Sequence, residues 1–195
     1  EVAQKRQQED VQSYSGILVI AECRHGQIAP VSFELLGIGR KLADKRDVTL
    51  SVLLLGDKVE EYSKALIAAG ADTVLLGTSP ALAQFREDVF AKILTRVIRE
   101  RKPEVVLAGA TAIGRSVVPF VATQVNAGLT ADCTQLDIRE SDGMLLQTRP
   151  AFGGNIMATI ECPDTRPQMA TVRPNVMPTP EPDPKRSGET LLLDL

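Results

Sequence analysis

The strongest constraint on this chain is a recurring alternation of pattern: an unbroken apolar run, then a segment of helical spacing, repeated four times. Residues 16–23 (GILVIAEC), 48–55 (VTLSVLLL), 73–76 (TVLL) and 105–110 (VVLAGA) are continuously or nearly continuously apolar. That is the signature of strands buried on both faces. Helical segments lie between them at 32–46, 59–69 and 85–101, and a fourth begins near Ser116. The crossovers exceed the roughly dozen residues that parallel neighbours require. The fold class is therefore α/β, a parallel sheet with helices on both faces.

Local signals refine this frame. Ser32 reads as the cap of the first helix, with Glu34 in its first turn. Leu35, Ile38 and Leu42 share a face, and Gly39 on that side permits close helix–sheet packing. In 85–101 the stripe Val89, Phe90, Ile93, Leu94, Val97, Ile98 recurs at spacing three and four, opposite a solvated face of Asp88, Lys92, Arg96 and Arg99. Pro119 is expected in the first turn of the fourth helix, where its missing N–H is harmless. Beyond residue 128 the connections shorten. Residues 133–139, 144–149, 155–162 and 168–172 read as added strands, partly or wholly antiparallel, with Ser141-Asp142-Gly143 as a hairpin turn. Pro174, Pro178, Pro180, Pro182 and Pro184 then mark a semi-rigid linker outside the core. The chain divides into a polar extension at 1–15, an α/β domain at 16–174 and a proline-rich linker at 175–195. Residues 191–195 (LLLDL) either begin a further domain or dock back.

Several function classes are disfavoured. The formal net charge of −3 gives no reason to expect nucleic acid or an anionic membrane. No apolar run approaches the roughly 18–20 residues of a membrane span. There is no signal-peptide pattern, and a cytoplasmic location is expected. The first residue is Glu1, so the chain reads as a fragment of a longer polypeptide. Cys23, Cys133 and Cys162 lack metal-cluster spacing, and Cys23 and Cys162 read as small core residues in a reducing compartment. His25, the single histidine, reads as a loop residue, which leaves no histidine triad. No catalytic or metal-ligating set is expected.

Three stretches invite a functional reading. In Thr148-Arg149-Pro150-Ala151-Phe152-Gly153-Gly154-Asn155, two glycines permit close backbone approach, Arg149 supplies a fixed charge with a fork of donors, and Pro150 restricts it. It reads as a loop facing a cofactor or a partner chain, or else as a wide β-connection. The turn Gly109-Ala110-Thr111-Ala112-Ile113-Gly114-Arg115 follows a strand and precedes a helix, where phosphates bind in open parallel sheets. Its glycines are too sparse for a dinucleotide fingerprint, and a structural turn or subunit contact is the other reading. In Gly128-Leu129-Thr130-Ala131-Asp132-Cys133, which links the last helix to the added strands, Asp132 either holds neighbouring N–H groups or orients a partner's groups.

Taken in order, residues 107–115 (LAGATAIGR), Val118-Pro119, 128–134 (GLTADCT), 148–155 (TRPAFGGN) and 169–174 (MATVRP), with 31–37 (VSFELLG) in the first helix, resemble the N-terminal domain of the electron transfer flavoprotein alpha subunit. The resemblance spans about residues 16–174. It implies an adenine-nucleotide α-hydrolase-like fold and a beta subunit as partner, with a dehydrogenase or reductase beyond it. It further implies that FAD in the complete heterodimer is held by the beta subunit and by a C-terminal alpha domain, with none tightly bound to this chain. The full Arg-Pro-Ala-Phe-Gly-Gly-Asn run resembles the bifurcating branch found in anaerobes. On this pattern Arg149 lies near the beta-subunit flavin, with Pro150, Phe152, Gly153, Gly154 and Asn155 around it. Thr111, Gly114, Arg115, Thr130 and Asp132 follow as weaker interface residues. No catalysis is expected from this chain alone. The competing readings are a nucleotide-binding domain of universal-stress type and a purely structural assembly domain.

Overall fold

A computed structural model describes residues 13–24 and 26–195. His25 and most of the polar extension lie outside the described residues. The elements in chain order are β1 (Ile17–Ala21), β2 (Cys23–Arg24), β3 (Gln27–Ile28), α1 (Pro30–Arg46), β4 (Leu50–Gly56), α2 (Ser63–Ala68), β5 (Thr73–Thr78), α3 (Glu87–Arg101), β6 (Val105–Gly109), α4 (Ala112–Gln124), β7 (Gly128–Cys133), β8 (Gln135–Ile138), β9 (Leu145–Ala151), β10 (Ile156–Ile160), β11 (Gln168–Val172) and β12 (Glu189–Leu192). Seven strands form the main sheet in the order β12-β5-β4-β1-β6-β11-β7, every pairing parallel. A second, antiparallel sheet has the order β10-β9-β8.

Strand alternation divides the core. Ile17, Val19 and Ala21 join one apolar cluster with Leu35, Leu36 and Leu42 of α1 and with Leu136, Ile138 and Leu145 of the small sheet. Leu18 faces the other cluster, with Leu94 and Ile98 of α3 and Val117 and Val121 of α4. The anticipated role of Gly39 is seen directly: a Cβ there would lie 3.0 Å from Leu50 Cδ1 and 3.3 Å from Val19 Cγ2. Helix α3 keeps its expected stripe and ends in a left-handed Lys102.

Other expectations are corrected. Helix α1 starts at Pro30, where the missing donor is one that the helix end leaves free anyway. Ser32 is inside the helix and buried, and its Oγ accepts the Glu22 N–H at 2.9 Å. Glu34 is not a dipole partner either. It is 4% exposed and accepts the amides of Asn175 and Met177. Helix α4 begins at Ala112, capped by Thr111, so Pro119 falls in its interior. A proline there leaves the carbonyl one turn earlier without its N–H partner.

Residues 168–172, expected among the added strands, form a parallel strand between β6 and β7. All five are buried: Gln168 Oε1 accepts Leu145 N at 3.0 Å and Thr171 Oγ1 accepts Asp132 N at 3.1 Å, while Gln168 Nε2 has no hydrogen-bond partner among the described residues. The stretch 128–133 is likewise an edge strand of the main sheet, irregular where Asp132 adopts φ 61°. The proline-rich stretch is strapped across α1. Gly37 leaves room for Pro178 and Pro180, where a Cβ would stand 3.0 Å from each. Asp72 takes Arg40, Arg186 and the Leu50 amide at 2.6–2.8 Å. The strap ends by docking β12 on β5.

Candidate functional site

The chain leaves β1 in both directions, toward β4 and β5 on one side and β6, β11 and β7 on the other. Crevices at such a reversal, outside the strand carboxyl ends, hold ligands in open α/β sheets. Here the position over the start of α4 is filled from within. Thr111 Oγ1 donates to Glu22 Oε1 at 2.7 Å and accepts the Gly114 amide at 3.1 Å. Glu22 is 6% exposed and its other oxygen takes Arg24 at 2.8 Å. Gly114 is required by packing alone, since a Cβ there would stand 1.9 Å from the Gly109 carbonyl oxygen. Thr111 and Gly114 thus serve the turn itself. A phosphate at this helix start would meet the Glu22 carboxylate, and like charges at close range repel.

The stretch 148–155 is a β-hairpin. Its strands pair Arg149 with Ala158, Pro150 with Met157 and Ala151 with Ile156. Phe152, Gly153 and Gly154 turn through φ of 48°, 71° and 94°. Left-handed backbone explains both glycines. Nothing lies within 4 Å of a Cβ built on either, so no close approach within this chain demands them. Phe152 is 82% exposed, and Ile156 and Met157 are each 54% exposed. Asn155 is exposed as well. Alternation puts Arg149 on the face of Leu145 and Gln147, which are buried against the body. Arg149 is half-buried and has no acidic partner among the described residues. Its charge reaches Cys133: burial pushes that thiol up to about 11, and Arg149 is the main opposing influence. Cys133 is a protonated core residue at neutral pH.

The Asp132 segment joins these two regions. Asp132 pairs with Arg115 at 3.0 Å, which ties the edge strand to the first turn of α4. Thr134 N donates to Thr148 O at 2.9 Å, one residue from Arg149. Thr130 is 3% exposed, and its hydroxyl has no hydrogen-bond partner among the described residues. The structure therefore joins Arg115 to Asp132 beside the turn of Thr111 and Gly114, leaves Thr130 buried mid-strand opposite Ala170, and links the Arg149 strand through the Thr134–Thr148 bond. Phe152, Gly153, Gly154 and Asn155 stand out on the hairpin tip. Glu22 and Glu34 were not anticipated: Glu22 ends an apolar run with no role read for it, and Glu34 was expected to serve the helix dipole. No group of three His, Cys, Asp or Glu suited to a metal occurs among the described residues. No helix among them is long and apolar enough to cross a membrane.

Residues 17–194 match the model of the electron transfer flavoprotein domain. The chain belongs to the electron transfer flavoprotein family. Among relatives, it is 50% identical over 181 residues to the electron transfer flavoprotein subunit alpha of Thermoanaerobacterium thermosaccharolyticum, covering 93% of this chain and 54% of that protein. It is 52% identical over 163 residues to the subunit alpha of Clostridium acetobutylicum, covering 84% of this chain and 48% of that protein. It is 45% identical over 186 residues to the FixB protein of Azorhizobium caulinodans, covering 94% and 50% respectively. The chain spans about half the length of the curated relatives it matches. Within this flavoprotein family the described residues offer no nucleotide cradle at α4. Arg149, without an acidic partner among them, lies beside an exposed, glycine-rich hairpin tip.

Proposed function

We propose that this chain is the N-terminal domain of an electron transfer flavoprotein alpha subunit, and that its β9–β10 hairpin covers a flavin held by the beta subunit. FAD in the complete heterodimer supplies the redox chemistry. This domain supplies charge and shape. The observation that carries the reading is Arg149, half-buried with no counter-ion among the described residues. Burying a guanidinium unpaired is costly, so an anion from outside the chain completes the site. A flavin ring gains negative charge on reduction, and a fixed cation at its edge favours that state. The exposed Phe152, Ile156 and Met157 give the hairpin an apolar surface for the partner to cover. The complete Arg-Pro-Ala-Phe-Gly-Gly-Asn run supports a place in the bifurcating branch, with a dehydrogenase or reductase as redox partner and the cytoplasm as location.

Spectroelectrochemistry of the complete heterodimer tests this. Arg149→Gln is expected to lower the beta-side flavin potential, by roughly 60 mV per 1.4 kcal/mol lost for a one-electron couple, while Arg149→Lys keeps part of it. An unchanged potential in a normally assembled Arg149→Gln protein would reduce the domain to a structural cover. The nucleotide-binding alternative predicts saturable ATP binding by this chain alone. With Glu22 over the start of α4, none is expected.

A further inference from the structure

The Arg149 reading leaves a second arginine at the same end of the sheet unexplained. Arg173 follows β11 and is exposed, yet its backbone is held firmly. Its N–H donates to Cys133 O at 2.9 Å, and the preceding Val172 carbonyl accepts Ala110 N at 2.7 Å. Pro174 comes next, and the following Asn175 amide is bound by both oxygens of the buried Glu34, at 3.1 and 2.9 Å. The side chain therefore projects from a fixed point. Its guanidinium has no ion pair or hydrogen bond among the described residues, while the neighbouring acids are already engaged. Asp132 pairs with Arg115, Glu22 with Arg24 and Thr111, and Glu34 with backbone amides. Arg149 and Arg173 flank the Cys133–Thr134 corner, since Thr134 is bonded to Thr148 on one side and Cys133 to Arg173 on the other.

Resting on the proposed pairing with a beta subunit, we propose that Arg173 is a docking residue that receives a carboxylate side chain of that subunit. Three features carry this. Two uncompensated guanidinia sit together at one end of a chain whose formal net charge is −3, so this end is complementary to an acidic surface. The planar fork of arginine matches a carboxylate in two parallel hydrogen bonds. The fixed backbone lowers the ordering cost of making them. The two arginines then divide the work: the half-buried Arg149 acts on the flavin, and the exposed Arg173 acts on assembly.

The experiment measures the affinity of the full-length alpha chain for its beta subunit at low and high salt, together with bound FAD and the flavin potential. Arg173→Gln is expected to weaken assembly about tenfold at low salt and to flatten its salt dependence, with FAD content and potential unchanged. Arg173→Lys is expected to keep the salt dependence and most of the affinity. Arg173→Gln binding within twofold of wild type overturns the inference, as does unchanged affinity with lost FAD, which would make Arg173 a cofactor contact. Wild-type chain that fails to bind the beta subunit at all overturns the underlying pairing as well, so the two failures are distinct.

Discussion

The turn at residues 109–115 and the hairpin at 148–155 contain the same kinds of residue: paired glycines, a threonine and an arginine. They use them in opposite ways. In the turn these groups are engaged by their own chain. Gly114 has no room for a Cβ against the Gly109 carbonyl, Thr111 caps α4 and holds Glu22, and Arg115 pairs with Asp132. In the hairpin tip the glycines have open space around them, Phe152 is exposed and Arg149 lacks a counter-ion among the described residues. A glycine can mark crowding or left-handed backbone, and only the surroundings distinguish the two. The turn is completed by its own chain, whereas the hairpin tip stands clear of the rest of the described chain.

This contrast can be broken by substitution. Gly114→Ala should be the most damaging change, costing about 3 kcal/mol because a backbone carbonyl stands in the way; denaturant unfolding measures it. A loss below about 1 kcal/mol would show the turn to be pliant. Acid titration probes another inwardly engaged carboxylate, Asp72. Burial alone would raise its pKa, but the Leu50 N–H and the Arg40 and Arg186 guanidinia outweigh this and lower it from 3.8. Stability from this network is therefore complete above that ordinary value and is lost as pH falls through the lower, folded one. Asp72→Asn should flatten the acid limb of the stability curve, and an unaltered limb would show that the network contributes little. The hairpin should respond least. Gly153→Ala should cost about 1 kcal/mol through its positive φ, and Phe152→Ala should change the stability of this chain by less than about 0.5 kcal/mol. A large loss from Phe152→Ala would mean that the tip packs on its own domain.

Much of the fold was legible because its strongest signals are local. Continuous apolar runs gave β1, β4, β5 and β6, and the stripe of α3 gave the helix and its face. Gly39 was legible for the same reason, being small on an otherwise apolar face. The misreadings arose where distant residues decide. Residues 168–172 have no local mark of a parallel strand inserted between β6 and β7, because that place is set by the ladders on either side. Ser32 looks like a cap, yet Pro30 starts the helix and the Ser32 hydroxyl is used by Glu22. The odd composition of 148–155 marked a connection between strands, which the structure shows as a hairpin with an exposed tip. The internal carboxylates Glu22 and Glu34 became visible only through their partners.

The docking of β12 has a consequence for handling the molecule. Its four residues lie along β5, and Leu191 and Leu193 pack on the core behind it. A chain cut before Glu189 would leave β5 as a bare apolar edge, with free backbone donors and acceptors along its length. Such an edge templates strand addition between molecules. The proline-rich strap therefore also guards solubility: it carries, across the face of α1, the short and largely exposed strand that takes the place of β5 at the edge of the sheet.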